Sequence, residues 1–138
     1  MNAPISIYIH VPFCAAKCAY CDFASFPNRL RDADAYFDAL NAEIESWSDT
    51  LKNCEIQTVF FGGGTPTIVN PERIVRTLST LFAHSNVNNN AEITIEGNPG
   101  TLNAEKLRAY RRAGINRLSL GAQSMNDETL RFIGRIHT

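Results

Sequence analysis

The segment Ile5-Ser6-Ile7-Tyr8-Ile9 alternates and is rich in β-branched residues, which predicts a first strand that Pro12 ends. The period then changes. Over 32–51 the apolar residues Phe37, Leu40, Ile44, Trp47 and Leu51 recur at three- and four-residue steps, one face of a helix. Residues 56–61 predict a second strand, stopped by Gly62-Gly63-Gly64. Asn70 is placed to cap a helix with Pro71 at its first position, running to about Ala83 with Ile74, Leu78, Leu81 and Phe82 inward. Asn88-Asn89-Asn90 reads as a polar loop, and 92–96 as a third strand followed by the turn Gly97-Asn98-Pro99-Gly100. Asn103 can cap a helix that ends near Ala113 with Gly114 at C′. Residues 115–120 predict a fourth strand, and Asn126 with Asp127 and Glu128 opens a last short helix through Leu130 and Ile133.

Each strand is followed by a helix, so the pattern predicts an α/β fold of about four βα units with parallel strands and right-handed crossovers. Parallel sheets place functional residues at the C-terminal ends of their strands. The unusual loops all fall there: the cysteine-bearing loop, the triple glycine, Glu96-Gly97-Asn98-Pro99 and Gly121-Ala122-Gln123-Ser124. Four units cannot close an eight-stranded barrel, and Gly134-Arg135-Ile136-His137-Thr138 supplies no closing element. The expectation is a partial barrel in a truncated chain.

Composition narrows the class. The 138 residues suffice for one modest core, and 44% hydrophobic with 20% charged residues is globular rather than disordered. No apolar run has the length of a membrane span, and Met1-Asn2-Ala3-Pro4 is followed by no apolar signal core, so a cytoplasmic protein is expected. A net charge of -1 points to no nucleic-acid partner. The charge is uneven, however: residues 1–105 carry 6 Lys/Arg against 12 Asp/Glu, and residues 106–138 carry 7 against 2. A solvated basic helix face around Arg108, Arg111 and Arg112 accounts for this; a surface for an anionic ligand or another part of the protein is the alternative.

Cys14, Cys18 and Cys21 form a C-x3-C-x2-C run. Three thiolates can hold three corners of a [4Fe–4S] cubane and leave one iron open to a ligand that is not protein. A disulfide framework wants an even count and an oxidising compartment. A zinc site with His10 or a distant residue as fourth ligand is possible, although zinc sites more often pair C-x2-C units. A redox pair of Cys18 and Cys21 leaves Cys14 unexplained. Cys54, at a predicted helix-to-strand junction, reads as a small buried hydrophobe.

The other loops suit a polar ligand. Phe61-Gly62-Gly63-Gly64-Thr65-Pro66 lacks the Lys-Ser/Thr pair of a phosphate loop, but successive glycines let backbone approach a ligand closely. A tight turn before a helix is the plainer reading. Glu96 ends an apolar strand, where a buried acid needs a donor or a cation; a ligand ammonium, a ribose hydroxyl, Arg135 or another arginine would serve. Gln123 and Arg135 are polar groups near the same rim.

Taken together, Tyr8-Ile9-His10-Val11-Pro12-Phe13-Cys14, the cysteine run, Phe60 to Thr67 and Gly121-Ala122-Gln123-Ser124-Met125-Asn126 resemble the radical S-adenosylmethionine (SAM) superfamily. More narrowly they resemble the oxygen-independent coproporphyrinogen III oxidase group of porphyrin and heme metabolism. The resemblance covers nearly the whole chain and implies that 1–138 is the N-terminal part of a radical SAM core, with the rest of the barrel and a C-terminal domain beyond it. The oxidases of this group carry a further cysteine two positions after the third; here that position is Phe23. Cys21-Asp22-Phe23 and Gly134-Arg135-Ile136-His137 resemble instead the HemW branch, regarded as a heme chaperone.

The resemblance implies that Cys14, Cys18 and Cys21 hold a [4Fe–4S] cluster and that SAM binds its open iron. Tyr8 and Tyr20 would lie by SAM, Gly63, Gly64 and Thr65 would meet its methionine end, and Glu96, Gln123 and Arg135 would complete the pocket. Active members pass one electron from the reduced cluster to SAM, which gives a 5′-deoxyadenosyl radical. The implied partners are heme or a porphyrin as cargo, an acceptor hemoprotein, and an electron donor such as flavodoxin or ferredoxin. Whether the chain is an enzyme stays open. An oxygen-independent coproporphyrinogen III oxidase is the first alternative and a zinc-binding structural domain the second.

Overall fold

The computed structural model describes residues 3–138, so Met1 and Asn2 of the leader reading lie outside the described residues. The chain forms β1 (Ala3–Val11), a short pair β2 (Phe13–Cys14) and β3 (Phe26–Pro27), α1 (Ala33–Ser46) and α2 (Ser48–Lys52). It continues through β4 (Cys54–Gly63), α3 (Pro71–His84), β5 (Asn86–Gly97), α4 (Ala104–Arg112), β6 (Arg117–Leu120) and α5 (Asp127–Phe132). The main sheet has the order β1-β4-β5-β6, and every neighbouring pair is parallel. Sequential neighbours joined by helices are what the strand–helix alternation predicts.

The core lies between the sheet and helices α1 and α3. Ile56, Val59 and Phe61 of the inner strand β4 are at most 1% exposed, and Phe37, Ile44, Ile74, Leu78 and Leu81 cover them from the helices. Full burial of each such side chain contributes about 1.5–3 kcal/mol. Helices α3, α4 and α5 start as expected: Asn70, Asn103 and Asn126 each accept a backbone N–H with the side chain. Gly114 ends α4 at φ +105°, a conformation open to glycine without a Cβ penalty.

Several sequence expectations are corrected. The 32–51 helix is two helices. The chain leaves helical geometry at Trp47, which rotates the stripe and leaves Trp47 56% exposed while Leu51 returns to the core. Phe82 is 37% exposed at the seam of α3 and α4, over Gly114. Asn88-Asn89-Asn90 is not a loop but part of β5. The register jumps from Ile56↔Val87 to Thr58↔Glu92, and the asparagines fill the irregularity. Asn88 donates to Glu55 at 3.3 Å, and the Asn90 N–H donates to the Asn88 side chain at 2.8 Å. The triple glycine does not stop β4, because Gly62 and Gly63 still pair with His10 and Val11. Strand β6 starts at Arg117, two residues later than expected, although Ile115 is buried.

Candidate functional site

The C-terminal ends of β4, β5 and β6 and the cysteine-bearing segment after β1 surround one cleft of about 330 Å³. Strand β2 carries Cys14 to its wall. Its partner β3 closes the loop that holds Cys18 and Cys21, through Phe13↔Phe26 and a Phe26 N–H bond to the Pro12 carbonyl of 2.8 Å. A turn with the Cys21 N–H bonded to the Cys18 carbonyl at 3.0 Å sets the last two cysteines side by side. All three are free, half-buried thiols lining the cleft. Cys54 is also half-buried, not the fully buried hydrophobe expected, and it opens β4 beside Ala3, at the opposite end of the sheet.

The glycines mark where backbone meets this loop. A Cβ on Gly64 would come within 2.5 Å of the Phe13 carbonyl oxygen and 3.0 Å of Cys14 Sγ. Gly63 has φ +110°, and a Cβ there would strike the His10 ring at 2.5 Å. His10 is itself occupied. Nε2 is 2.7 Å from the Ala24 carbonyl oxygen, which can only accept, so Nε2 carries the hydrogen and Nδ1 accepts from the Tyr8 hydroxyl at 3.1 Å. With both nitrogens engaged, His10 is not the fourth ligand of a zinc site. Among the described residues no three His, Cys, Asp or Glu side chains close on a point for one metal ion.

Glu96 reaches the cleft from the end of β5. Its carboxylate accepts the Gly63 N–H at 3.3 Å; this backbone donor, not an arginine, meets its need for a partner. Burial pushes its pKa up, and the Gly63 bond opposes that shift in part. Gln123 lines the cleft from a left-handed backbone conformation, φ +67°, which is uncommon for a side-chain-bearing residue. Tyr20, Gly63, Gly64, Thr65 and Arg135 also line it. Tyr8 stacks on Phe60 with ring centroids 6.1 Å apart, and a Cβ on Gly62 would lie 3.1 Å from both its ring and the Glu96 carboxylate. Burial, and next the Glu96 charge, raise its pKa.

Sequence reasoning missed Asn98, a hub of the cleft. It donates to Thr65 Oγ1 at 3.0 Å and accepts from Arg135 Nη2 at 2.8 Å. The available signal was its place two residues after Glu96, which puts both on one face of an extended chain. Arg135 also donates to the Gly121 carbonyl at 2.5 Å and to Cys18 Sγ at 3.5 Å, while its Nε is buried without a partner. Phe23 stands on the same wall as the thiols. Three free thiols, approachable glycine backbone and a cleft carrying both Glu96 and Arg135 fit a thiolate-held cluster with a zwitterionic ligand beside it.

Residues 8–138 match the sequence family described as the radical SAM superfamily. The protein named "Heme chaperone HemW" of Haemophilus influenzae is 39% identical over 97% of this chain and 36% of its own length. The "Radical S-adenosyl methionine domain-containing protein 1, mitochondrial" of Danio rerio is 38% identical over 96% of this chain and 30% of its own length. Among solved structures, one described as "Coproporphyrinogen III oxidase (HemN) from Escherichia coli is a Radical SAM enzyme" superposes with a TM-score of 0.91 at 34% identity, covering 99% of this chain and 32% of that one. The chain thus spans about a third of the length of the proteins it matches.

Proposed function

The chain belongs to the radical SAM superfamily, and on that premise we propose that it binds a [4Fe–4S] cluster and SAM in the rim cleft and serves as a heme chaperone that delivers heme to acceptor hemoproteins. The observation that carries the proposal is the gathering of three free thiols, the Gly63-Gly64-Thr65 backbone, Glu96, Gln123 and Arg135 around one cleft. In this reading Cys14, Cys18 and Cys21 hold three corners of the cluster. Gly63, Gly64 and Thr65 take the methionine end of SAM, while Tyr8, Tyr20, Glu96, Gln123 and Arg135 close around the rest. Tyr8 also orients His10, whose bond to Ala24 fastens the cysteine loop to β1. The bound cluster and SAM supply one-electron chemistry, and the protein's share is to orient them and keep out water and oxygen.

Phe23 favours the chaperone over the oxidase. It places an apolar ring on the cleft wall where the oxidases of the group carry another cysteine, and relatives named heme chaperones support the same branch. Residues 1–138 are proposed as part of a radical SAM core in a cytoplasmic protein reduced by a flavodoxin or ferredoxin. Incubation of the reconstituted protein with coproporphyrinogen III, SAM and reductant is the test. The chaperone reading expects no protoporphyrinogen, and transfer of bound heme to an apo-hemoprotein. Formation of protoporphyrinogen would assign the oxidase activity instead.

A further inference from the structure

We propose that Thr65 and Arg135 donate hydrogen bonds to two of the three cluster thiolates, with Asn98 fixing the direction of both, and that this bridge raises the reduction potential of the cluster. The inference rests on the three-cysteine ligand set proposed above.

The bridge runs Cys14–Thr65–Asn98–Arg135–Cys18, and its polarity follows from chemistry. A guanidinium only donates, so the Asn98 atom 2.8 Å from Arg135 Nη2 is the amide oxygen. The amide nitrogen therefore faces Thr65 and donates to Oγ1 at 3.0 Å. With its oxygen accepting from Asn98, the Thr65 hydroxyl has its own hydrogen free for Cys14 Sγ, 3.7 Å away. At the other end Arg135 Nη1 donates to Cys18 Sγ at 3.5 Å. Thr65 is only 4% exposed, so water does not compete for its hydroxyl.

The surroundings make room for the bridge. A Cβ on Gly121 would lie 2.7 Å from Asn98 Oδ1, and one on Gly64 3.0 Å from Cys14 Sγ. Donors aimed at thiolate sulfur stabilise the more electron-rich reduced cluster, and hydrogen bonding to the sulfurs is one of the levers that set cluster potentials. A bridge that served only to hold four loops together would affect stability without moving the potential.

The test is an EPR-monitored dithionite titration of the reconstituted cluster without SAM, after iron and sulfide have been counted. Thr65→Val removes the hydroxyl at nearly constant shape. At a set potential its ratio of reduced to oxidised cluster should fall several-fold, where tenfold equals about 59 mV for one electron. Thr65→Ser should restore the ratio. Asn98→Asp accepts from Arg135 but cannot donate to Thr65, so the hydroxyl turns away from Cys14; part of its effect should vanish in a Thr65→Val background. If Thr65→Val assembles no cluster, Thr65→Ala, which also lacks the hydroxyl and adds no charge, carries the measurement. Unchanged potentials at full cluster content, no rescue by serine, or strict additivity of the two substitutions would overturn the proposal while leaving the ligand reading intact. A wild-type protein without iron and sulfide would overturn both, before any potential is read.

Discussion

Cys18 and Cys54 share a side chain and a half-buried setting, yet they stand at opposite ends of the sheet, one in the rim cleft and one where β4 begins. Cys18→Ala should therefore abolish cluster uptake on anaerobic reconstitution, because two thiolates do not hold the cubane. Cys54→Ala should keep full iron and sulfide content, and loss of iron there would break the three-ligand assignment. Glu96 makes a second prediction. Burial raises its pKa above the ordinary 4.5, so between that value and the raised one the folded chain binds more protons than the unfolded. Its contribution to stability falls as pH rises through that window. In denaturant titrations without SAM, the stability of the wild type relative to Glu96→Gln should drop from pH 4 to pH 7; a flat difference would remove the burial argument. At this scale the sequence was most legible where spacing constrains chemistry. The cysteines, Glu96, Gln123 and Arg135 all reach the cleft. Asn98 and the backbone conformation of Gln123 were hidden, because a hydrogen-bond hub and a positive φ arise from loops that meet only in the folded chain.

The helices and strands follow local rules wherever those rules act alone. Asparagine caps appear at α3, α4 and α5, where one side chain satisfies one otherwise unpaired N–H. The misreadings come where a tertiary partner decides. Asn88-Asn89-Asn90 has no apolar pattern, yet pairing against β4 on either side draws it into a strand. Gly62 and Gly63 read as a breaker but continue the ladder to β1, and the missing Cβ gives room to the Glu96 and Tyr8 side chains at Gly62 and to the His10 ring at Gly63. The break between α1 and α2 is the sharpest case, because periodicity placed Trp47 in the core and the structure leaves it 56% exposed. Trp47→Gln should change unfolding free energy by no more than about 0.5 kcal/mol, as expected of a surface position. A loss of about 3 kcal/mol or more would restore the single buried helix.

At the scale of the whole molecule, one topological fact organises the rest: parallel strands put all their C-terminal loops on one rim, and those loops carry the chain's unusual residues. No helix among the described residues is long and apolar enough to cross a membrane. The parallel sheet was readable from the alternation of two- and three-to-four-residue periods, and strand β6 at its edge shows Leu118 and Leu120 40% and 48% exposed. The central claim is that this rim holds a cluster with an open iron. Its most direct test is the EPR spectrum of the anaerobically reconstituted, dithionite-reduced protein with and without SAM. The account predicts a [4Fe–4S]⁺ signal that changes shape when SAM is added. A cluster signal indifferent to SAM, or zinc at one per chain with no sulfide, would contradict it.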